Sequence, residues 1–384
     1  MNQTKQTQKQ TQTEPKRVNP GLEGVVVADT RLGGVRGAEG FYHYGPHNAA
    51  VLAETRSFEE VWYLFAHGEL PSPAELASFR SATAQLRALS PDVERAIAAL
   101  GPIESMPPMT AARSVLGVVG ASLGIDSWID DPVPAGRRAI ELTAAFPSVV
   151  AGLWRVRNGH PIVEPDPSLG FAADYLSMIT GARPNPDQVA ALERYLILTI
   201  DHGFNASTFT SRVVASTGAD LCGAAVGGLA ALSGPLHGGA PSHVLEMFDD
   251  VGEVSNAAAW VENALATGRR IMGFGHRVYR ADDPRAALLR RTTREMGSRH
   301  ADLALEMEPI VLDALDRHRP DRELRTNVEY YAATVLDAVG LPRQLFTPTF
   351  AVSRIVGWMA HVCEQVEANR LIRPKSHYVG QPPC

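Results

Sequence analysis

Three histidines stand beside glycine, where a ligand can approach the backbone closely. They are His202 in DHGFNAS, His237 in GPLHGG and His276 in GFGHR. Each is predicted at a helix end or at a break between helices. Neutral imidazoles in such places can donate hydrogen bonds to a carbonyl oxygen on which charge develops. A single histidine of this kind is as often structural as functional, so the prediction depends on the context that the three share.

Arginines form a second candidate set. Arg354 lies in the apolar run FTPTFAVSRIVGWMAHV, where an unpaired guanidinium would be costly, so it needs an anionic partner. That partner is either a carboxylate of the protein or a carboxylate of a substrate, which arginine can bind through two hydrogen bonds. The other members of the set are Arg277, Arg280, Arg285 and Arg373. For Arg285 and Arg373, simple exposure to solvent is the alternative.

One isolated acid, Glu329 in TNVEYYA, completes the chemistry. With Asn327 as N-cap, Glu329 falls in the first turn of a helix, where the dipole lowers its pKa and burial raises it. A base, neutral donors and carboxylate-binding arginines together suggest enolisation of a carbonyl compound. The base takes a proton next to the carbonyl, and a donor stabilises the enolate.

Two other kinds of site were weighed against this one. Three histidines and a glutamate could ligate zinc, but no HExxH or similar short spacing supports it, so we predict no metal. The GFG stretch is not surrounded by a strand–turn–helix unit, as a dinucleotide-binding motif would be.

Composition narrows the class of protein. The chain has 384 residues, a formal net charge of -6 and no basic stripe with interleaved aromatics, which predicts no nucleic-acid binding. No run of about 20 apolar residues is evident, which predicts no membrane span. Three cysteines without CxxC spacing favour a reducing compartment. Residues 1–19 are rich in Gln, Thr and Lys, which predicts a disordered tail and a cytoplasmic protein.

Helical signals dominate the rest of the chain. Capping boxes are predicted at Ser57 and at Ser72, and Asn185 is predicted to begin a helix that Gly203 ends. Strand signals are confined to EGVVVADTRLGGVRG and FYHYG, which could form a small N-terminal hairpin or sheet. A mainly α fold follows. Further helical periodicity is predicted over 109–122, 136–158, 206–218, 219–233, 254–267, 284–297, 301–317 and 348–370.

Six motifs, in order, resemble the citrate synthase family. They are DHGFNASTFTSRVVASTGAD, SGPLHGGAP, MGFGHRVYRADDPRA, TNVEYYAATVLDAVGLP, FTPTFAVSRIVGWMAHVCEQ and RPKSHYVG. The resemblance covers the chain from about Gly21 and implies a mostly helical, two-domain homodimer. It implies a large domain of residues 20–238 and 339–384, a small domain of residues 239–338, and an active site between them.

The resemblance also implies roles for individual residues. His237 matches the histidine that hydrogen-bonds the acetyl-CoA thioester, and His276 matches the one that polarises the oxaloacetate ketone. Glu329 stands where most members have the Asp that removes a methyl proton. The implied oxaloacetate-binding residues are His202, Asn205, Arg285, Arg354 and Arg373, the last reaching in from the partner subunit. The implied CoA-binding residues are Gly273, Phe274, Gly275 and Arg280.

The implied activity is condensation of acetyl-CoA with oxaloacetate, then hydrolysis of citryl-CoA, with no cofactor beyond the substrates. The Glu at position 329 most resembles the secondary citrate synthase group. The stretch Tyr42–Gly45 departs from the YRGY pattern of the family, because its usual arginine is missing. Two alternatives stay open: a 2-methylcitrate synthase that uses propionyl-CoA, and a metabolite-binding paralogue with little activity.

Overall fold

A computed structural model describes residues 19–238, 240–276, 279 and 281–381, without the side chains of Ala240 and Pro241. The chain divides into two compact units, residues 1–31 and 32–384. In the first unit a 3-10 turn spans Pro20–Leu22 and an irregular segment follows it. The predicted disordered tail, apart from residue 19, lies outside the described residues, as do Arg277 and Arg280.

The second unit is built mainly from helices, as the sequence predicts. They are α1 (Ala49–Thr55), α2 (Phe58–His67), α3 (Pro73–Gln85), α4 (Pro91–Leu100), α5 (Pro108–Ser122), α6 (Ala135–Arg157), α7 (Phe171–Thr180), α8 (Pro186–Thr199), α9 (Ala206–Ser216), α10 (Leu221–Leu232), α11 (Ala240–Val251), α12 (Val254–Thr267), α13 (Pro284–Met296), α14 (Ala301–His318), α15 (Val328–Ala338) and α16 (Phe346–Glu367). Helices α1, α4, α7 and α11 were not predicted from periodicity.

A three-stranded antiparallel sheet precedes the helices in the second unit. Its strands are β1 (Gly33–Arg36), β2 (Phe41–Tyr44) and β3 (His47–Asn48), in the order β1-β2-β3. Residues 24–30 form no strand, so the predicted β element is shorter than the VVVADT run suggested. The Tyr44 hydroxyl donates to the carbonyl oxygens of Ile197 (2.8 Å) and Asp201 (3.2 Å), which fixes the sheet against the end of α8.

Capping explains where several helices begin. Ser57 and Ser72 form capping boxes with Glu60 and Glu75, and Asn185 forms one with Gln188, so these predicted starts are confirmed. The predicted end at Gly203 is wrong: α8 ends at Thr199, and residues 201–205 form a loop. This loop contains His202 and leads into α9.

Two long helices, α6 and α16, pack against each other through the core. Helix α16 also contacts α8, α9 and α10, and it buries the whole of Trp358 and Arg354. Among the described residues, α6 alone has the length and composition to cross a membrane, although Arg138, Glu141 and Arg155 interrupt its apolar run. Its most apolar window is 78% buried inside the fold, as for the core helix of a globular protein.

The division into a large and a small domain stays a prediction. Residues 32–384 form a single compact unit, and no boundary at 238 or 339 separates it.

Candidate active site

Glu329 lies in the first turn of α15, and its carboxylate is half-buried. Asn327 caps this helix by accepting the N–H of Glu329 at 3.0 Å, as predicted. Burial raises the pKa of Glu329 to about 7, although the charges of Arg285 and Arg354 oppose the shift. Desolvation therefore raises the pKa of Glu329 by more than the dipole at the start of the helix lowers it. A carboxyl group with this pKa can act as a base near neutral pH.

The GFG loop is tied to the chain that leads into α15. Gly275 donates its N–H to Arg325 O (2.8 Å), and Asn327 donates its N–H to Gly273 O (2.9 Å) and its side-chain amide to Gly275 O (2.9 Å). Gly273 has a φ of 86°, and a Cβ there would meet Tyr330 at 2.7 Å. Only glycine fits so close to α15. The loop with His276 and the helix with Glu329 thus form one connected piece.

His237 is held by Ser207, the second residue of α9. Ser207 Oγ lies 2.8 Å from His237 Nε2, and the Ser207 N–H points to the same nitrogen at 3.4 Å. A backbone N–H can only donate, so Nε2 is the acceptor and the ring hydrogen is on Nδ1. Burial, with the charge of Arg354, lowers the pKa of His237 to about 4. His237 is therefore a neutral donor at neutral pH.

His276 is oriented by a backbone donor. The Tyr279 N–H donates to Nδ1 at 3.0 Å, which places the hydrogen of the neutral ring on Nε2. Burial, with the charge of Arg285, lowers the pKa of His276 to about 4. Its Nε2 lies 3.2 Å from Arg285 Nη2, so the two groups are direct neighbours with no room for an atom between them. An oxygen atom that binds beside this pair can accept a hydrogen bond from each of them.

His202 completes the group of imidazoles. Its ring lies 5.5 Å from that of His276, centroid to centroid, and its Nε2 is 3.0 Å from the Tyr279 hydroxyl. Burial, followed by the charge of Arg285, lowers the pKa of His202 well below its usual range. The structure thus places His202 and His276 in contact with each other. His237 is related to His202 through Arg354, whose charge lowers the pKa of both imidazoles.

Arg285 is buried, with 3% of its surface exposed, so solvent exposure is not its explanation. Asp283, the N-cap of α13, accepts from Arg285 Nε (2.9 Å) and Nη2 (2.8 Å). The same carboxylate accepts the N–H of Val328 at 3.1 Å, at the start of α15. Asp283 thus fixes the guanidinium beside His276 and joins α13 to the helix of Glu329.

Arg354 is equally buried but has no carboxylate within ion-pair distance among the described residues. Its Nε donates to Thr199 O at 2.8 Å, and its guanidinium carbon lies 4.7 Å from the centre of the Phe350 ring. Burial lowers the pKa of Arg354, and the charge of Asp201 opposes this. The alternative of an internal salt bridge is therefore not supported there. A guanidinium in this state can bind an incoming carboxylate strongly.

The structure relates the remaining predicted site residues less closely to the histidines and arginines described above. Asn205 caps α9, accepting from Thr208 N (3.1 Å) and Ser207 Oγ (2.7 Å), so it supports the loop that holds His237. Arg373 is exposed, beyond the end of α16, with no hydrogen bond or ion pair to any described residue of its own chain. Of the predicted CoA-binding residues, Phe274 packs edge-on against Tyr330, whereas Arg280 lies outside the described residues.

The part of the chain that the structure describes contains no group of three or more His, Cys, Asp or Glu side chains arranged to hold a metal ion. A pocket of about 290 Å³ lies elsewhere, between α2, α6 and α16, and includes none of the candidate residues. The assignment of the site therefore depends on its chemistry: a base, neutral donors and two buried guanidinium groups.

Comparison with known proteins agrees with this chemistry. A family model described as citrate synthase, C-terminal domain, matches residues 21–375. Similar proteins include citrate synthase of Haloferax volcanii (39% identical, 94% of this chain and 95% of that one) and citrate synthase 2 of Bacillus subtilis (36%, 94% and 95%). Another is 2-methylcitrate synthase 2 of Corynebacterium glutamicum (36%, 95% of both chains).

A solved structure is also similar. It is citrate synthase of Thermoplasma acidophilum in a ternary complex with carboxymethyl coenzyme A and oxaloacetate, with a TM-score of 0.86 and 29% identity over 96% of this chain and 97% of that one.

The chain belongs to the citrate synthase family. It is accordingly a transferase-type enzyme with the citrate synthase fold. The motifs that resemble the family contain His237, His276 and Glu329, and the structure gives each a state suited to enolisation.

Two supporting residues of this citrate synthase site were missed from the sequence. Ser207 and Asp283 both lie inside the quoted motifs. The partner of Ser207, His237, is 30 residues away in the sequence, so the contact is visible only in the structure. Asp283 stands two residues before Arg285, a spacing that could have suggested an ion pair at a helix start.

Replacing Ser207 by alanine is expected to lower kcat by about 10- to 100-fold, because His237 Nε2 loses its 2.8 Å contact with the hydroxyl and keeps only the longer contact with the backbone N–H, which holds the ring less firmly. The oxaloacetate KM should change little. Steady-state kinetics measures both. Ser233→Ala, an exposed serine after α10, is the matched control, and an S207A variant with the wild-type kcat would refute this role.

Proposed function

We propose that the protein condenses acetyl-CoA with oxaloacetate and hydrolyses the resulting citryl-CoA to citrate and CoA. The observation that carries the proposal is the state of Glu329. It is a half-buried carboxylate with a pKa of about 7, it lacks an ion-pair partner among the described residues, and it lies in the field of two buried arginines. A structural carboxylate would be paired.

In the first step Glu329 removes a proton from the methyl group of acetyl-CoA. The electron pair of that C–H bond moves to the thioester, whose oxygen accepts the Nδ1–H of His237. The donor is neutral, so it stabilises the enolate without adding a full charge to the pocket. A site closed to water would strengthen this hydrogen bond.

In the second step the enolate carbon attacks the ketone carbon of oxaloacetate. The ketone oxygen binds beside His276 Nε2 and Arg285 Nη2, which are direct neighbours, and accepts a hydrogen bond from each. Arg354 binds a carboxylate of oxaloacetate, and His202 adds a further neutral group. Water then attacks the thioester carbon of citryl-CoA, and CoA leaves as citrate is released.

A steady-state assay tests the proposal. CoA release from acetyl-CoA should require oxaloacetate, and citrate should appear in equal amount. CoA release without oxaloacetate would indicate a thioesterase instead. Tight oxaloacetate binding with no product would favour the metabolite-binding paralogue.

The acyl substrate is a second question, because one of the similar proteins is named 2-methylcitrate synthase. One methylene in an apolar pocket is worth only about 1–3 kcal/mol, so the two acyl-CoAs compete closely. We assign acetyl-CoA as the preferred substrate. Relative kcat/KM values for acetyl-CoA and propionyl-CoA in one assay decide it.

We further propose that the enzyme belongs with the secondary citrate synthases that carry Glu as the base. The similarity to citrate synthase 2 of Bacillus subtilis supports this grouping. The enzyme is proposed to act in the cytoplasm, without a cofactor, as a homodimer in which Arg373 serves the partner's site. The exposed position of Arg373 in its own chain supports the last point.

A further inference from the structure

One face of α16 supports the loops on both sides of His202. Arg354, Trp358 and His361 follow one another at about one helical turn, so their side chains share a face. Arg354 Nε donates to Thr199 O (2.8 Å), and Trp358 Nε1 donates to Ser207 Oγ (3.1 Å). Arg354 and Trp358 thus bind groups next to the candidate residues His202 and His237. The third, His361, has no part in the proposed chemistry.

His361 faces Asp201, the residue immediately before His202. His361 Nε2 and Asp201 Oδ1 are 3.2 Å apart, and both side chains are almost completely buried. On the other side of the ring, Arg212 Nη1 lies 3.3 Å from His361 Nδ1. Arginine can only donate, so Nδ1 accepts and the hydrogen of a neutral ring is on Nε2, the nitrogen nearer to Asp201.

Arg212 is itself held in place. Its Nη1 donates to Glu364 (2.7 Å), its Nε donates to Gln365 (3.2 Å), and its guanidinium lies over the Phe204 ring. Glu364 and Gln365 belong to α16, like His361. The orientation of His361 is therefore fixed from its own helix and does not depend on the substrate.

The buried carboxylate oxygen Oδ1 of Asp201 has His361 as its polar neighbour. Neither Asp201 Oδ1 nor His361 Nε2 has a well-directed hydrogen bond to any described residue, and the polar contact between these two atoms is the 3.2 Å approach to each other. A buried carboxylate oxygen without a donor is costly. The other oxygen, Oδ2, accepts the N–H of Gly203 at 3.0 Å. The two oxygens thus connect α16 to the backbone on either side of His202.

Asp201 also supplies charge to the site. Burial alone would raise its pKa, but His361 and Arg354 outweigh burial and lower it, so the group is ionised. Its negative charge in turn favours the protonated form of Arg354, against the effect of burial. Because Arg354 has no ion pair with any described residue, its guanidinium keeps donors for another anion.

We propose that His361 is a positioning residue for the dicarboxylate site. Through Asp201 it holds the loop of His202 beside Arg354, without touching the substrate. The acyl-CoA side of the site depends on His237 and Glu329, and neither has a hydrogen bond or ion pair to His361 or Asp201 among the described residues. This inference rests on the proposed function, since it assumes that oxaloacetate binds at Arg354.

The test compares His361→Phe with His361→Gln. Phenylalanine keeps the ring that packs edge-on against Phe204 but has no donor. Glutamine places an amide N–H near the position of Nε2. Calorimetry should show oxaloacetate affinity reduced by about 10- to 100-fold in H361F, with most of the loss restored in H361Q. The acetyl-CoA KM should stay within about twofold of wild type.

His243→Phe is the matched control, because His243 is an exposed histidine of α11 whose ring hydrogen-bonds Glu246 in its own helix. Asp201→Asn completes a double-mutant cycle. If the pair acts as a unit, the D201N/H361F protein should bind oxaloacetate no more than about twofold more weakly than the weaker single variant.

Three outcomes would overturn the inference. They are unchanged oxaloacetate affinity in folded H361F, equal losses for both substrates, and multiplicative losses in the cycle. If H361F fails to fold, H361Q and H361N decide, because Asn cannot reach Asp201 and should show the loss that Gln avoids. A wild-type protein that binds no oxaloacetate would instead overturn the proposed function.

Discussion

Glu329→Gln is expected to lower kcat by about 10³-fold, the usual contribution of a positioned general base. Glutamine keeps the shape of the side chain but cannot accept the methyl proton. Oxaloacetate affinity should stay within about twofold, because Arg354 and His276 are unchanged. Steady-state kinetics and calorimetry of oxaloacetate binding measure the two effects.

Glu329→Asp is the informative control for this variant. It keeps the acid but shortens it by one methylene, and a misplacement of about 1 Å can cost about 100-fold in rate. We therefore expect E329D to lie between wild type and E329Q. Near-wild-type turnover in E329Q would show that another group is the base.

The pKa of Glu329 also predicts how the two proteins differ in stability. Its folded-state pKa, about 7, is raised above the ordinary 4.5, so the wild type loses stability as pH rises through about 7. E329Q has no such loss. Thermal unfolding should show E329Q a few degrees more stable than wild type at pH 9 and nearly equal at pH 4. The opposite order would mean that the carboxylate is compensated in the folded state.

A mixture of Arg373→Ala and Glu329→Gln subunits is expected to recover activity that neither variant has alone. If Arg373 serves the partner's site, one of the two sites in each mixed dimer contains both Glu329 and Arg373. With random pairing, half of the dimers are mixed, so about a quarter of wild-type activity should return. The physical basis is that an exposed arginine without a partner in its own chain can bind a substrate carboxylate across an interface.

Two controls make this result decisive. Subunits of R373A mixed with wild type should give no more activity than their shares predict, and size-exclusion chromatography should show dimers throughout. Mixed dimers that stay inactive would place Arg373 in the site of its own subunit, or outside any site.

Much of the fold follows from local signals. The starts of α2, α3, α8 and α15 were predicted because each has a capping side chain that satisfies free backbone N–H groups. The prediction failed where tertiary contacts decide. Tyr44 holds the backbone of Ile197 and Asp201, so α8 ends before Gly203. The extended VVV run forms no strand in the described unit, although its residue types favour one.

The candidate site likewise contains residues that local sequence signals predict and contacts that only the tertiary structure reveals. Sequence identified the groups that would touch the substrate, because histidines beside glycine, a buried arginine and a first-turn acid are visible in one dimension. It left the partner of Arg354 open between an internal and a substrate carboxylate, and only burial and distances favour the second. The supporting contacts from α16, those of Trp358 to Ser207 and of His361 to Asp201, join residues about 150 positions apart. No local pattern predicts them.

The most direct test of the account uses acetyl-CoA with a fully deuterated methyl group. Turnover should be slower than with ordinary acetyl-CoA, and CoA should be released only when oxaloacetate is present. The citrate should retain two of the three deuterium atoms, since Glu329 removes one. Mass spectrometry of the product measures this. Deuterated acetate in place of citrate, or citrate absent while CoA is released, would contradict it.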